Sequence, residues 1–278
     1  MTEKQATAPQ ASPAAPAPEG FSAFAHQYHE RMFPGRRSTL RETDPGFVRA
    51  LDNWAFDDVV RSDATPDALR FKVILAALIG SGAADEFRVL LPAALNFGVT
   101  PSEAKEIIYQ AFPYLGIGRA YPFLMISNEV FRAQGIALPA TDDAQALAGT
   151  RAERGRALQI QIFGDGMADF EAKGPAETRR IRRWLVENCF GDYYARRGLP
   201  VAERELMTFC FLVAQGGCDP QVESHAAGNL HIGNSHEKLL NAVAQMLPFI
   251  GYPRSLNAIA AIDRACKAAR AKDAAEGE

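Results

Sequence analysis

Residues 205–258 read ELMTFCFLVAQGGCDPQVESHAAGNLHIGNSHEKLLNAVAQMLPFIGYPRSLNA, and residues 71–123 read FKVILAALIGSGAADEFRVLLPAALNFGVTPSEAKEIIYQAFPYLGIGRAYPF. A shift of 135 positions aligns identical residues in the later part of both stretches, namely Gly98 with Gly233, Gln110 with Gln245, Pro113 with Pro248, Gly116 with Gly251 and Arg119 with Arg254. Ahead of the pair Gly216-Gly217, a shift of 134 aligns Phe56 with Phe190, Asp58 with Asp192, Pro66 with Pro200 and Arg70 with Arg204. Self-similarity of this length indicates a duplication with one inserted residue. We call the two regions that contain these stretches the first copy and the second copy.

The pattern within both copies is helical. Apolar side chains recur at spacings of three and four residues, as in residues 206–214 (LMTFCFLVA). Residues 100–103 (TPSE) are typical of a helix start, and Asp219 followed by Pro220 predicts another, with Asp219 as the N-cap. Gly98 and Gly233 are typical of helix C-termini. Strand-like alternation is not evident, so the sequence predicts an all-α fold, built as a tandem duplicated helical domain.

The chain divides into four predicted regions. Residues 1–20 are rich in alanine and proline and poor in large apolar side chains, which predicts a disordered tail. We place the first copy at residues 40–139 and the second copy at residues 176–267. Residues 140–175 contain many helix-forming residues, which indicates a helical connector between the two copies.

The composition is that of an ordinary globular protein, with 47% hydrophobic and 23% charged residues. A net charge of -3 and a pI near 6.0 give no reason to expect nucleic acid or an anionic membrane as a partner. No apolar run reaches the roughly 18 residues that a membrane-spanning helix needs. The 4 cysteines lack the spacing of a zinc site or a disulfide framework. We therefore expect a cytoplasmic setting and no metal.

The two copies differ where chemistry is possible. Glu205 aligns with Phe71, Cys218 with Ala83, and His225 with Leu90. An acid, a thiol and an imidazole thus replace apolar groups, which indicates a site in the second copy and a scaffold half in the first. Cys218 lies at a predicted helix N-terminus, where the helix dipole favours a thiolate, although the neighbouring Asp219 opposes it.

Structural explanations exist for the same residues. Neutral drift after duplication would also make the copies differ. A lone cysteine such as Cys218 is more often a small buried apolar residue, and a lone helical histidine such as His225 is usually a satisfied structural group. Glu205 could be the acidic residue in the first turn of a helix. A functional site is favoured because all three residues are absent from the first copy.

The motifs resemble those of the carboxymuconolactone decarboxylase family, which includes alkylhydroperoxidase D-like proteins. In the second copy the resemblance rests on residues 204–206 (REL), on His225-x-x-Gly-Asn-Leu-x-x-Gly-x-Ser and on residues 245–253 (QMLPFIGYP). In the first copy it rests on residues 93–101 (AALNFGVTP) and 110–116 (QAFPYLG). It covers about residues 50–130 and 185–265, which is most of the chain outside the tails.

The resemblance implies an all-α protein that assembles as a trimer or hexamer. The alkylhydroperoxidase branch has Cys-x-x-Cys, a histidine three residues later and an upstream glutamate. Cys218 matches the first thiol and His225 the histidine, whereas Glu205 lies about one residue from the expected position. Gln221 stands where the second thiol would be, so a disulfide cycle within this motif is not expected. The decarboxylase branch keeps a histidine without the thiol pair, and it implies no metal or organic cofactor.

These observations favour a cofactor-free lyase or isomerase that acts on a small carboxylated lactone or a related aromatic-degradation intermediate. His225 would be the general acid/base, and Glu205 would orient it or share its proton. Arg204 or Arg254 could pair with a carboxylate of the substrate, and Gln221 is a further candidate for substrate binding.

Two alternatives stay open at this point. In the first, the protein is an antioxidant one-cysteine thiol peroxidase, in which Cys218 is oxidised to a sulfenic acid and reduced by an external thiol. In the second, the duplicated helices form a non-catalytic, oligomeric scaffold that binds a ligand. A tightly packed, dry environment around His225 would favour the scaffold.

Overall fold

The computed structural model describes residues 16–141 and 148–276, without the side chains of residues 273 and 276. Positions 1–15 of the predicted tail lie outside the described residues. All regular structure in the described part is helical, as predicted, and the described residues fall into two compact units, one up to Arg61 and one from Ser62 onward. The α-helices are α1 (Ala23–Met32), α2 (Leu40–Thr43), α3 (Pro45–Asn53), α4 (Asp67–Ser81), α5 (Ala84–Asn96), α6 (Pro101–Leu115), α7 (Ile117–Ala133), α8 (Arg151–Phe163), α9 (Arg179–Trp184), α10 (Val201–Gln215), α11 (Asp219–His231), α12 (His236–Ile250) and α13 (Tyr252–Glu276).

The first unit contains α1 to α3 and the π-helical segment Trp54–Asp58. Ser22 caps α1 by accepting a hydrogen bond from the backbone of Ala25. Tyr28 of α1 stacks on Phe56, with the ring centroids 6.4 Å apart. The inner face of α1 is buried, with Ala25, Tyr28 and Met32 as its apolar residues.

The duplication is visible in the second unit, where α4 to α7 repeat as α10 to α13. The predicted helix ends are confirmed. Thr100 forms a capping box with Glu103 at the start of α6, and Ser235 caps the equivalent helix α12. Gly98 and Gly233 follow the ends of α5 and α11 with φ angles of 92° and 94°, a conformation that glycine adopts without strain.

One predicted helix start is corrected. Cys218, not Asp219, is the N-cap of α11, so the helix begins one residue earlier than predicted. The carbonyl of Cys218 accepts hydrogen bonds from the backbone N–H groups of Gln221 and Val222. Proline is tolerated in the first turn because its missing N–H would have no partner there, so Pro220 fits either start.

Helices α4 and α10 form the centre of the second unit. Residues 70–80 of α4 and residues 204–214 of α10 are all buried, and a shift of 134 aligns these two ranges. The helices touch at Gly80, where an added Cβ would lie 2.7 Å from the carbonyl oxygen of Phe211. The two buried helices therefore pack backbone against backbone, which requires a small residue at the contact.

Two arginine–glutamine pairs cross between the copies. Arg70 of the first copy donates from Nε to Oε1 of Gln245 at 3.0 Å. Arg204 of the second copy donates from Nη1 to Oε1 of Gln110 at 3.4 Å. Since Arg70 aligns with Arg204 and Gln110 with Gln245, each copy supplies one half of each pair. In this way α6 of the first copy lies against α10 of the second.

Among its described residues, the predicted connector contains one α-helix, α8, which ends at Phe163 and has Gly164 as its C-cap. Part of the predicted connector, residues 142–147, lies outside the described residues. The boundaries of 40–139, 140–175 and 176–267 stay predictions. Within the described residues, no helix combines the length and the apolar character that crossing a membrane requires.

Candidate active site

Glu205 of α10 and His225 of α11 meet in the second copy. Nδ1 of His225 lies 2.6 Å from Oε1 of Glu205. The carboxylate is 0% exposed, and its other oxygen, Oε2, accepts a hydrogen bond of 2.6 Å from the hydroxyl of Tyr194. Both carboxylate oxygens are therefore satisfied, which a buried carboxylate requires.

The contacts determine which imidazole nitrogen carries the proton. An ionised carboxylate only accepts hydrogen bonds, so Nδ1 of His225 must donate to Glu205. In the neutral ring the proton is then on Nδ1, and Nε2 has a free lone pair. The side chain of His225 is 10% exposed, and Nε2 has no hydrogen-bond partner among the described residues, nor is it one of their fully buried atoms. Nε2 is thus available to a ligand.

Aromatic rings hold the imidazole on two sides. Tyr114 and Phe163 contact it edge to face, with centroid distances of 5.3 and 5.4 Å. The amide of Asn229 donates to the backbone carbonyls of both Glu205 and His225, which ties α10 to α11. These contacts hold the ring in place.

A glycine permits the close approach of the carboxylate. An added Cβ on Gly228 would lie 2.8 Å from Oε1 of Glu205 and 2.7 Å from the ring of Phe163. Any larger residue at this position would displace one of these two groups, because real Cβ contacts are longer. Gly228 aligns with Ala93 in the first copy, where the acid is absent.

Further hydroxyl groups surround the carboxylate. The hydroxyl of Tyr194 lies 2.8 Å from Oγ1 of Thr208, and the hydroxyl of Tyr114 lies 3.1 Å from that of Tyr194. The thiol of Cys189 donates to the hydroxyl of Tyr114 at 3.6 Å. Burial raises the pKa of both tyrosines well above the ordinary range and raises the pKa of Cys189 to about 12. These groups therefore stay protonated and act as neutral donors.

The sequence interpretation missed this outer layer, although the comparison of the copies contains the signal. Each of its second-copy members replaces an apolar residue: Cys189 aligns with Ala55, Tyr194 with Val60, Thr208 with Ile74 and Asn229 with Ala94. Tyr114 of the first copy differs from its aligned residue Phe249 only by the hydroxyl, which is a weaker signal. Its contacts with Tyr194 and His225 place one side chain of the first copy beside the pair, while the assignment of the first copy as a scaffold half stays a prediction.

The first copy has no comparable pair at the aligned positions. Phe71 and Leu90, which align with Glu205 and His225, are each 1% exposed and belong to the apolar core. Among the described residues, no group of three or more His, Cys, Asp or Glu side chains is arranged to hold a metal ion.

Cys218 is half-buried, and its thiol bonds to the last turns of α10 and not to Glu205 or His225. Its thiol donates to the carbonyl of Leu212 at 3.3 Å and accepts from the amide of Gln215 at 3.8 Å. Burial raises the pKa of the Cys218 thiol, and the nearby Asp219 acts in the same direction. The thiolate that the sequence position suggested is therefore disfavoured by the surroundings.

The candidates for substrate binding have different environments. Arg204 is 0% exposed, and its Nη2 donates to Glu106 and to the carbonyls of Arg196 and Arg197, which leaves no room for a substrate carboxylate. Gln221 is exposed on the first turn of α11. Arg254 is half-buried and lines a groove of about 430 Å³ between α10, α11 and the start of α13. Its guanidinium has no polar partner within the described part of the chain.

The chain is similar to known proteins in three comparisons. A crystal structure described as a gamma-carboxymuconolactone decarboxylase subunit from Burkholderia xenovorans aligns over 91% of this chain and 100% of that chain, with 20% identity and a TM-score of 0.49. A 4-carboxymuconolactone decarboxylase from Acinetobacter baylyi is 32% identical over 98 residues, which are 35% of this chain and 73% of that relative. The carboxymuconolactone decarboxylase family model matches residues 45–124 and 180–264, one match in each copy. Because these matches cover more than half of the chain, the protein belongs to the carboxymuconolactone decarboxylase family.

Proposed function

We propose that this protein is a carboxymuconolactone decarboxylase-like enzyme, a cofactor-free acid/base lyase or isomerase that acts on a small carboxylated lactone or a related aromatic-degradation intermediate. The observation that carries the proposal is the Glu205–His225 pair, in which a buried carboxylate holds the proton on Nδ1 and leaves Nε2 open. The family membership and the name of the Acinetobacter baylyi relative support the choice of substrate class.

The pair suits a reaction that moves one proton at carbon. Decarboxylation breaks the bond between the carboxylate carbon and the lactone, and the electron pair left behind delocalises toward the lactone carbonyl. A proton must then reach a ring carbon. The imidazolium of His225 can deliver it from Nε2 and recover a proton from solvent, while Glu205 stabilises the charged ring. Isomerisation needs the same group, first as a base and then as an acid.

Arg254 and Gln221 are our proposed substrate-binding residues. Arg254 lines the groove between α10, α11 and the start of α13, and Gln221 is exposed on the first turn of α11. A guanidinium without a protein partner can bind a carboxylate through two parallel hydrogen bonds. Arg204 is not part of the proposal because its guanidinium is buried against Glu106.

We also propose that the protein is a homo-oligomer. Helices α7 and α13, which align between the copies, both expose large apolar side chains: Ile117, Tyr121 and Met125 on α7, and Tyr252, Leu256 and Ile259 on α13. Repeated apolar faces of this kind are typical of protein interfaces. The trimer or hexamer expected from the family resemblance would cover them.

The test of the enzymatic proposal is turnover of 4-carboxymuconolactone and related lactones, followed by loss of the lactone and release of CO2. We expect His225→Ala to lower kcat by about 10²–10⁴-fold, since this is the usual contribution of a general acid/base. His231→Ala is the matched control, because His231 is exposed at the end of the same helix. If His225→Ala kept full activity on every lactone that the wild type turns over, the proposal would fail.

A further inference from the structure

We infer that Tyr194 and, from the first copy, Tyr114 are positioning residues for the Glu205–His225 pair. Their hydroxyls form a chain of hydrogen bonds that ends on the carboxylate. The inference rests on the proposed function of the pair and adds to it that both copies build one active site. The first evidence for the inference is the length of these hydrogen bonds. The hydroxyl oxygens of Tyr114 and Tyr194 are 3.1 Å apart, and the hydroxyl oxygen of Tyr194 lies 2.6 Å from Oε2 of Glu205.

The direction of each hydrogen bond follows from the end of the chain. Oε2 of Glu205 can only accept, so the single proton of Tyr194 is donated to it. The oxygen of Tyr194 then accepts from the hydroxyl of Tyr114, and the oxygen of Tyr114 accepts from the thiol of Cys189. All protons in the chain therefore point toward the carboxylate, and the chain favours its ionised form.

A neighbouring hydroxyl competes for the Tyr194 proton. Oγ1 of Thr208 lies 2.8 Å from the Tyr194 oxygen. It also accepts from the amide of Gln110 of the first copy at 3.2 Å. Because an ionised carboxylate is a stronger acceptor than a hydroxyl, the Tyr194 proton goes to Glu205, and Thr208 can donate its own proton to the Tyr194 oxygen.

The pattern of replacement between the copies supports a shared role. Where Glu205 is replaced by Phe71, Tyr194 is replaced by Val60. Tyr114 aligns with Phe249 of the second copy, which has the same ring without the hydroxyl. The crossed arginine–glutamine pairs show that α6 faces the second copy's α10 and that α12 faces the first copy's α4. The aromatic ring is thus present on both sides, and the hydroxyl is present only on the side that has the acid.

Loss of the Tyr194 hydroxyl would interrupt the chain of hydrogen bonds at the carboxylate of Glu205. In Tyr194→Phe, Oε2 would lose its donor inside the protein and Oε1 would keep only the Nδ1–H of His225, so protonation of Glu205 would be favoured more than in the wild type. A protonated Glu205 would donate to Nδ1, so the neutral imidazole would carry its own proton on Nε2. That tautomer cannot accept a proton at Nε2, and the base would be lost.

The experiment is ¹⁵N NMR of ring-labelled histidine in the full-length protein, at a pH where the ring of His225 is neutral. The signals of His225 are identified by their loss in His225→Gln. We expect the Nδ1–H tautomer in the wild type and the Nε2–H tautomer in Tyr194→Phe. Tyr114→Phe should shift the population in the same direction by a smaller amount. Tyr121→Phe makes the same chemical change on an exposed residue of the first copy and should match the wild type.

The readout separates this inference from the proposed function because it needs no substrate. If both tyrosine variants fold and keep the wild-type tautomer, the positioning role is overturned even if His225 is catalytic. A flip of the tautomer supports the role even if no lactone is turned over. Should Tyr194→Phe fail to fold, Tyr114→Phe decides alone, and an unchanged tautomer there rejects the contribution of the first copy. With an active substrate, Tyr194→Phe is expected to lower kcat about 10- to 100-fold, the size of a hydrogen bond to a charged group.

Discussion

A single buried position has opposite character in the two copies. Phe71 and Glu205 align, and they are 1% and 0% exposed, respectively. A carboxylate in such a place is costly by several kcal/mol unless both oxygens find donors. The second copy provides them from Tyr194 and His225, while the first copy has apolar residues at all these positions. The acid and its donors therefore form one unit, and each of them makes physical sense only with the others.

The thiol of Cys218 is predicted to react slowly with peroxide, as an ordinary cysteine does. Only the thiolate reacts with peroxide, and burial raises the pKa of this cysteine, so little thiolate forms at neutral pH. With stoichiometric hydrogen peroxide and a sulfenic-acid trap, we expect slow labelling in mass spectrometry that accelerates only at alkaline pH. Cys218→Ser is the control for the site of the adduct. Rapid, selective labelling of Cys218 over Cys189, Cys210 and Cys266 would instead support the thiol peroxidase.

At the scale of elements, the contact between α4 and α10 depends on one missing side chain. Gly80 aligns with Ala214, and an added Cβ at Gly80 would lie 2.8 Å from the Cβ of Ala214. Two methyl groups cannot occupy this space. Ala214 therefore has a methyl group, and the aligned Gly80 has none. The contact brings together the two helices that carry Phe71 and Glu205, and it thereby sets where the site lies relative to α6.

Gly80→Ala is predicted to destabilise the protein by about 1–3 kcal/mol, the usual result of overpacking a tight core. The reason is that a methyl group meets the backbone of Phe211, which cannot rotate away. Gly118→Ala is the matched control, since Gly118 lies in α7 with nothing within 4 Å of an added Cβ. Urea unfolding measures both variants. Equal free energies of unfolding for the two would contradict the packing described for α4 and α10.

At the scale of the whole molecule, two aligned helices leave apolar faces uncovered. Ile117 and Tyr121 of α7 are each 55% exposed, and Tyr252 and Leu256 of α13, which align with them, are 60% and 62% exposed. The burial of such side chains contributes about 25 cal/mol for each Å² removed from water. A duplicated chain thus presents similar surfaces at two places, as a subunit of a closed ring would.

Light scattering is expected to give a mass of three or six chains of 30.2 kDa. The double variant Tyr121→Lys with Leu256→Lys should lower that mass, because a lysine ammonium is costly to bury in an apolar interface. Val89→Lys places the same charge on an exposed apolar position of α5, outside these faces, and should leave the mass unchanged. A monomeric wild type at micromolar concentration would overturn the proposal of an oligomer.

Much of the fold could be predicted because its signals are local. Helical spacing, the Thr100 and Ser235 caps and the glycines Gly98 and Gly233 act over a few residues, so the chain reveals them without a tertiary contact. The error at the start of α11 has a local cause as well. Cys218 and Asp219 are neighbours at the start of the first turn of α11. Which of them is the N-cap depends on the backbone conformation, and residue type alone does not determine that conformation.

The candidate site was predictable only where the two copies could be compared. Glu205 and His225 stand out by alignment with Phe71 and Leu90, and the structure places them 2.6 Å apart. Cys218 stands out in the same way, yet its thiol bonds to Leu212 instead. Alignment shows which residues differ in type, but the direction of a side chain at a helix terminus depends on the turn that precedes it.

The sequence by itself determined the duplication, the all-α class and the asymmetry between the copies, because each is a property of residue order. Tertiary structure alone decided that Arg204 is buried against Glu106 and that Tyr114 of the first copy lies against His225 of the second. Those contacts join segments far apart in the chain. Residue patterns report short-range preferences, whereas the hydroxyl chain around Glu205 exists only because four separate segments converge on one buried carboxylate.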